Sequence, residues 1–128
     1  MLRFEKIYDD ENEHFKYVIL VDNNNIGECH IYKEYDFDLN IDNDYIFYIR
    51  LLKIFDEKDR NKKYGSLLFE YALNDMLTDY PESIFILNAC PVENKSKNNL
   101  LKLIKLYSLY GFNIYKKEHL NCLMIKYF

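Results

Sequence analysis

Two short segments of this chain combine residue types and spacing that could do chemistry. The first is Arg60-Asn61-Lys62-Lys63-Tyr64-Gly65-Ser66, a basic loop that runs into an apolar, helix-periodic stretch. The first turn of a helix carries unpaired N–H groups and the positive end of the helix dipole, so such a junction can bind phosphate. Gly65 lacks the Cβ that would obstruct a close approach. A solvated charged loop is the competing reading, since basic loops before helices are common. The second segment is Leu106-Tyr107-Ser108-Leu109-Tyr110-Gly111-Phe112. It places a phenol one helical turn before a glycine that can end the helix. Taken alone, Tyr107 reads as a core aromatic. Cys90 could supply a nucleophile. No histidine stands at a recognisable partner spacing from Cys90, which reads as small-residue packing.

The elements that must position these groups follow from the periodicity. Leu2–Tyr8, Phe15–Val21 and Ile26–Lys33 read as strands, the last two joined at the turn signal Asp22-Asn23-Asn24-Asn25. Tyr45–Phe55 is a long apolar run suited to a central strand. Tyr64, Leu67, Leu68, Tyr71 and Ala72 fall at helical spacing and predict a helix from about Gly65 to Thr78. Ile84–Cys90 is a short buried strand. A second helix, capped by Asn98 or Asn99, runs to Tyr110. Phe112–Lys116 and Asn121–Tyr127 close the chain as an antiparallel pair. One strand–helix–strand unit implies one parallel pair inside a mostly antiparallel sheet. The aromatic-rich C-terminal strand is expected to be an exposed edge able to pair with a second copy, so a homodimer is open.

The 128 residues suffice for one domain, 1–128, and no linker or repeat divides them. A net charge of −4 argues against a nucleic-acid backbone as main partner. No apolar run is long enough to span a membrane, and the N-terminus has no signal-peptide pattern. Cys29, Cys90 and Cys122 are scattered, which indicates neither a metal site nor a disulfide framework, and a reducing, cytoplasmic setting is expected. Asp9, Asp10, Glu11 and Glu13, with Asp36, Asp38, Asp42 and Asp44, form two acidic segments that could attract a cationic partner or simply solubilise loops.

Together the two motifs resemble the GNAT superfamily of N-acetyltransferases. Its pyrophosphate loop, Arg/Gln-x-x-Gly-x-Gly/Ala, is matched by Arg60 through Gly65, with Lys63 where the first glycine stands. Its later Leu-Tyr-x-x-x-Gly-Phe signature is matched by Leu106 through Phe112 without a change, and Gly27 resembles an early family glycine. The resemblance covers Phe15 to the C-terminus. It implies an α/β (α+β) fold: a mixed, mostly antiparallel central sheet with one splayed parallel pair, flanked by helices. The two helices the family places between its first strands are reduced here to Asp9–His14, which leaves the acceptor side open or completed by another subunit.

The resemblance further implies acetyl-CoA as co-substrate, with direct transfer of its acetyl group to an amine. That amine would be a small cationic molecule or a protein amine. Backbone groups of Lys53, Ile54 and Phe55 would hold pantetheine, and amides from Arg60, Asn61, Lys62, Lys63, Tyr64, Gly65 and Ser66 the pyrophosphate. Asn88 and Ala89 would flank the thioester, and Tyr107 would act as general acid toward the sulfur. A family asparagine before the tyrosine corresponds to Leu100, with Asn98, Asn99 and Asn94 nearby. The base is open among Glu28, His30 and a water held by Asn88. A catalytically weak or inactive CoA-binding or protein-interaction module is the alternative.

Overall fold

The computed structural model describes residues 1–35, 45–60, 62–91 and 96–127. The expected acidic loop Asp36–Asp44, Asn61 and Asn94 lie outside the described residues. The elements run β1 (Leu2–Asp9), β2 (His14–Val21), β3 (Asn24–Lys33), β4 (Ile46–Ile54), α1 (Tyr64–Asp79), β5 (Ile84–Ala89), α2 (Lys97–Leu109), β6 (Asn113–Lys117) and β7 (Cys122–Tyr127). A single 3-10 turn, Glu57–Asp59, lies between β4 and α1.

Among the described residues the strands form one seven-stranded sheet in the order β1-β2-β3-β4-β5-β7-β6. Every neighbouring pair is antiparallel except β4–β5, the parallel pair that the strand–helix–strand unit demands. β1 and β2 pair along their whole lengths through a direct hairpin, so no helices stand between them. One expectation fails. The C-terminal strand β7 lies between β5 and β6, and the edge at this end of the sheet is β6. The chain reverses after β6 and returns into the sheet, because β7 carries the buried Cys122, Met124 and Ile125 while β6 carries no buried residue.

Both helices cover one face, called inner here. Leu68, Phe69, Ala72, Leu73 and Met76 of α1 and Leu100 and Ile104 of α2 share one core with Phe15, Tyr17, Ile19, Cys29, Ile31, Phe47, Ile49, Phe85 and Leu87 of the strands. Ile46, Ile84, Ile86 and Ile125 form a smaller cluster on the outer face. Strand alternation separates the two sets. α1 is also tied to the first hairpin by charge. Asp75 accepts from the Tyr17 hydroxyl at 2.7 Å, and Lys6 lies 2.8 Å from Asp75 and 3.1 Å from Asp79.

The helix ends differ from expectation in one detail. Ser96, not Asn98 or Asn99, caps α2, its side chain accepting from Asn99 N–H at 3.2 Å. Ser96 is in the extended conformation an N-cap requires, whereas both asparagines lie inside the first turn.

Candidate active site

β4 and β5 pair only from Ile46–Ile84 to Ile49–Leu87. Beyond that β4 runs on to Ile54 and β5 to Ala89 without pairing to each other, so the strands part. The cause lies on the other side of β4. Ile49 pairs with Ile31, Leu51 pairs with His30, and Arg50 is the extra residue of a β-bulge. A bulge bends its strand and increases its twist, and this one sits where the strands diverge. The parting opens a cleft of about 840 Å³.

The cleft reaches both faces of the sheet. Phe69, Leu103 and Tyr107 line it on the inner side; Arg50, Leu51, Lys53 and Asn88 line it on the outer side. Phe55 N–H donates to Ile26 O at 2.9 Å. Alternation along that ladder turns the backbone groups of Lys53 toward β3 and those of Leu52 and Ile54 toward the gap. Gly27 permits this tight β3–β4 contact. A Cβ there would stand 2.5 Å from Ile54 Cδ1 and 2.8 Å from Lys53 O, and a backbone carbonyl cannot rotate away.

At its lower end the cleft meets the N-terminus of α1. The helix has no acidic residue in its first turn and no side-chain cap. Leu67 N–H makes the first internal bond, to Lys63 O at 3.0 Å, so the N–H groups of Lys63, Tyr64, Gly65 and Ser66 have no acceptor among the described residues. Arg60 and Lys63 line the cleft beside them. Arg60 Nε donates to Ile54 O at 3.2 Å, which holds the loop against the end of β4. Uncapped amides with the Arg60 and Lys63 cations beside them favour an external anion, although the Asp59 carboxylate also lines the cleft. A Cβ on Gly65 would meet only Ile54 Cγ1, at 3.7 Å, so packing within the protein does not require glycine there.

Lys63 adopts the left-handed conformation, φ 64° and ψ 12°. For an L-residue with a side chain this costs about 1–2 kcal/mol. Lys63→Gly should relieve the strain, less the extra unfolded-state entropy of glycine, for a net gain of about 0.5–1 kcal/mol. Thermal unfolding should shift upward by a few degrees; an unchanged or lower midpoint would show the loop to be unstrained in solution.

The second motif explains itself in the structure. Tyr107 is the C3 residue of α2, and Gly111, with φ 89°, follows the C-cap Tyr110. Phe112 N–H bonds Tyr107 O at 3.2 Å and Gly111 N–H bonds Ser108 O at 3.0 Å. This is a Schellman ending, with the accompanying contact between the Phe112 and Tyr107 rings at 6.3 Å. Phe69 adds an edge-on contact to Tyr107 at 5.8 Å. The ring is thus fixed from two sides, while its hydroxyl has no hydrogen-bond partner among the described residues. Burial pushes the phenol up to about 12, so it keeps its proton at any physiological pH.

The structure therefore brings together Lys53, Ile54, Arg60, Lys63, Tyr64, Gly65, Ser66, Asn88, Asn99 and Tyr107 around one cleft. Phe55, Lys62 and Ala89 do not line it: Phe55 and Lys62 are exposed elsewhere, and Ala89 is buried in the inner core. Cys90, expected to be packed, is exposed at the cleft, because β5 ends at Ala89. Arg50, Leu52, Phe69 and Lys102 also line the cleft, and the sequence reading missed them. No local signal marks the bulge that places Arg50. The acidic hairpin loop at residues 10–13 lies beside the start of β4, since Lys33 N–H bonds Glu13 O and Glu34 N–H bonds Ile46 O.

No protein-family model matches the sequence, and no curated protein does. Solved structures do resemble the fold. The IAA acetyltransferase from Bacillus cereus ATCC 14579 superposes with a TM-score of 0.72 at 11% identity, over 100% of both chains. A GNAT family acetyltransferase from Elizabethkingia anophelis with acetyl-CoA bound gives 0.68 at 15% identity, over 99% of this chain and 98% of that one. The PaiA N-acetyltransferase from Thermoplasma acidophilum in complex with coenzyme A gives 0.66 at 15%; 91% of this chain is covered, and it spans 62% of that chain's length. At these identities the likeness shows the fold, which is that of the GNAT acetyltransferases.

Proposed function

We propose, from the GNAT fold and the cleft at its parted strands, that this chain is an acetyl-CoA-dependent N-acetyltransferase acting by direct transfer to an amine. The observation that carries the reading is the continuity of one cleft from the uncapped start of α1 to the free phenol of Tyr107. Amides of Lys63 through Ser66, with the Arg60 and Lys63 side chains, would bind the pyrophosphate. Backbone groups of Leu52 and Ile54 would pair with the pantetheine amides, as a strand would. Bound acetyl-CoA supplies an activated acyl group. Asn88 would flank that group on the outer side, and Tyr107 would meet the sulfur from the inner side.

The phenol's elevated pKa defines what Tyr107 contributes. A thiol has a pKa near ~8.5, so complete proton transfer from a phenol near 12 is uphill by roughly 4–5 kcal/mol. Tyr107 would therefore stabilise the departing sulfur chiefly by donating a hydrogen bond as charge develops, and the proton that finally neutralises the thiolate comes from the attacking nitrogen. The acceptor must present a neutral amine, and it is a small cationic amine or a protein amine entering by the outer mouth. The direct β1–β2 hairpin supports an open approach on that side.

Coenzyme A binding is the first test. At about 100 times its Kd, coenzyme A should stabilise the fold by about 2.7 kcal/mol and raise the unfolding midpoint by roughly 10 °C. Thiol release from acetyl-CoA should then depend on added amine. Calorimetry that finds no coenzyme A binding at millimolar concentration would sink the proposal. Binding without amine-dependent thiol release would reduce the chain to a binding module.

A further inference from the structure

A polar array on the outer face of β2 and β3 contains Glu28 and His30, two of the candidate bases left open by the sequence, and joins them to His14. Glu28, His30 and Tyr32 alternate with the inner-face residues Gly27, Cys29 and Ile31, so their side chains lie on the face away from the helices. His30 Nε2 lies 2.9 Å from Glu28 Oε1, and His30 Nδ1 lies 2.8 Å from His14 Nε2. Asn25 donates to the other Glu28 oxygen at 2.8 Å. An ionised carboxylate only accepts, so His30 Nε2 carries a hydrogen. In neutral His30, Nδ1 then accepts and His14 Nε2 donates. His14 Nδ1 is left as the basic end of the chain, without a hydrogen bond from any described residue. A proton arriving there can be compensated inward, through His30, by the charge of Glu28.

The array stands beside the cleft. The β4 bulge turns Arg50 and Leu51 to the outer face; both line the cleft, and Leu51 pairs directly with His30. His30 is thus one strand spacing, ~4.8 Å, from the outer mouth, and His14 two. Arg50 closes the geometry: its guanidinium lies 5.7 Å from the Tyr32 ring centre, and Tyr32 stacks on His14 at 4.2 Å.

We propose that Glu28, His30 and His14 form a relay that takes up the proton of the acceptor ammonium, through water at the outer mouth, and that the acceptor enters by this face. The proposal rests on the acetyl-CoA reading above. His14 is faced by Asp9 from β1, Lys16 on its own strand, His30 with Glu28 on β3, and Arg50 on β4. Burial and the charges of Lys16 and Arg50 hold His14 below the ordinary histidine value, as would a like charge on His30, with Asp9 opposing. His14 is therefore unprotonated, and ready, at neutral pH. Burial works against the charge of Glu28, but hydrogen bonds from His30 and Asn25 outweigh it and keep the carboxylate ionised. Arg50 at the mouth also disfavours a second cation, which helps the ammonium give up its proton.

The balance is simple. An N–H bond of the ammonium breaks and its proton reaches His14 Nδ1 through water. The freed lone pair attacks the acyl carbon, the C–S bond breaks, and its electron pair leaves on sulfur. A second proton from the nitrogen neutralises the thiolate. The relay returns its proton to solvent.

The test compares two amines on the full chain, with acetyl-CoA as donor and thiol release as readout. 1,5-Diaminopentane is cationic at neutral pH; aniline is not and has no ammonium proton to remove. His14→Gln should lower kcat/KM for the diamine by about 100-fold at pH 7 and move the acidic limb of its pH profile up toward the titration of the free ammonium. The loss for aniline should be far smaller, and coenzyme A affinity should not change. Glu28→Gln should move the acidic limb to lower pH, because the imidazolium loses its counter-charge. Equal losses for both amines, or an acidic limb that stays in the same place in His14→Gln, would overturn the relay. So would coenzyme A binding without transfer to either amine between about pH 6 and 9, a result that leaves the binding reading standing. Failure to bind coenzyme A would bring down that reading first and the relay with it.

Discussion

Tyr107→Phe is expected to lower kcat for acetyl transfer by about 10²- to 10³-fold while leaving coenzyme A affinity and fold stability nearly unchanged. The separation follows from what the hydroxyl does in the free protein. It has no hydrogen-bond partner among the described residues, so its removal strands no buried group. The ring remains, and with it the contacts to Phe69 and Phe112 that hold α2. What disappears is one donor on a ring that lines the cleft where the sulfur would carry developing charge, and a donor of that kind is worth 10²- to 10³-fold. Steady-state kinetics, calorimetry and thermal unfolding on one pair of proteins check all three statements. Unchanged turnover would remove Tyr107 from the mechanism. An equal loss of coenzyme A affinity would make it a binding residue.

Phe69→Ala should produce the largest stability loss, about 3–5 kcal/mol, and lower the unfolding midpoint by roughly 10–20 °C. Phe69 is almost completely buried on α1. Its ring is edge-on to Tyr110 at 5.0 Å and to Tyr107 at 5.8 Å, and it stacks on Phe112 at 6.0 Å. It joins the two helices on the inner face and forms part of the cleft wall. Truncation leaves a cavity between elements that are fixed elsewhere, α1 by the Asp75 contacts and α2 by its Schellman ending, so collapse cannot refill the space. The same change frees Tyr107 to leave its position, and turnover should fall with stability. Denaturant unfolding showing a loss under about 1 kcal/mol would mean that this aromatic cluster does not hold the helices together.

Much of this was legible along the chain because its causes are local. The helix ending at Gly111 is written in adjacent residues: a glycine where a left-handed conformation is needed, an aromatic after it, and a tyrosine one turn before. Strand β4 is readable from its apolar run, and the parallel pair from the helix between β4 and β5. Where competing local signals were close in type, the reading slipped by a few residues. Ser96 outcompetes Asn98 and Asn99 as cap because conformation, not residue class, decides which side chain reaches the N–H groups.

The sequence by itself determined the order of elements, the basic loop before an uncapped helix, and the phenol fixed at a helix end, all set by contacts between near neighbours. Only the tertiary structure decided that β7 returns inside β6, that a bulge at Arg50 parts the sheet, and that Cys90 stands open at the cleft. The same holds for the alignment of Glu28, His30 and His14. These depend on register between strands distant in sequence. A shift of one residue in such a register would send each of these side chains to the opposite face of the sheet.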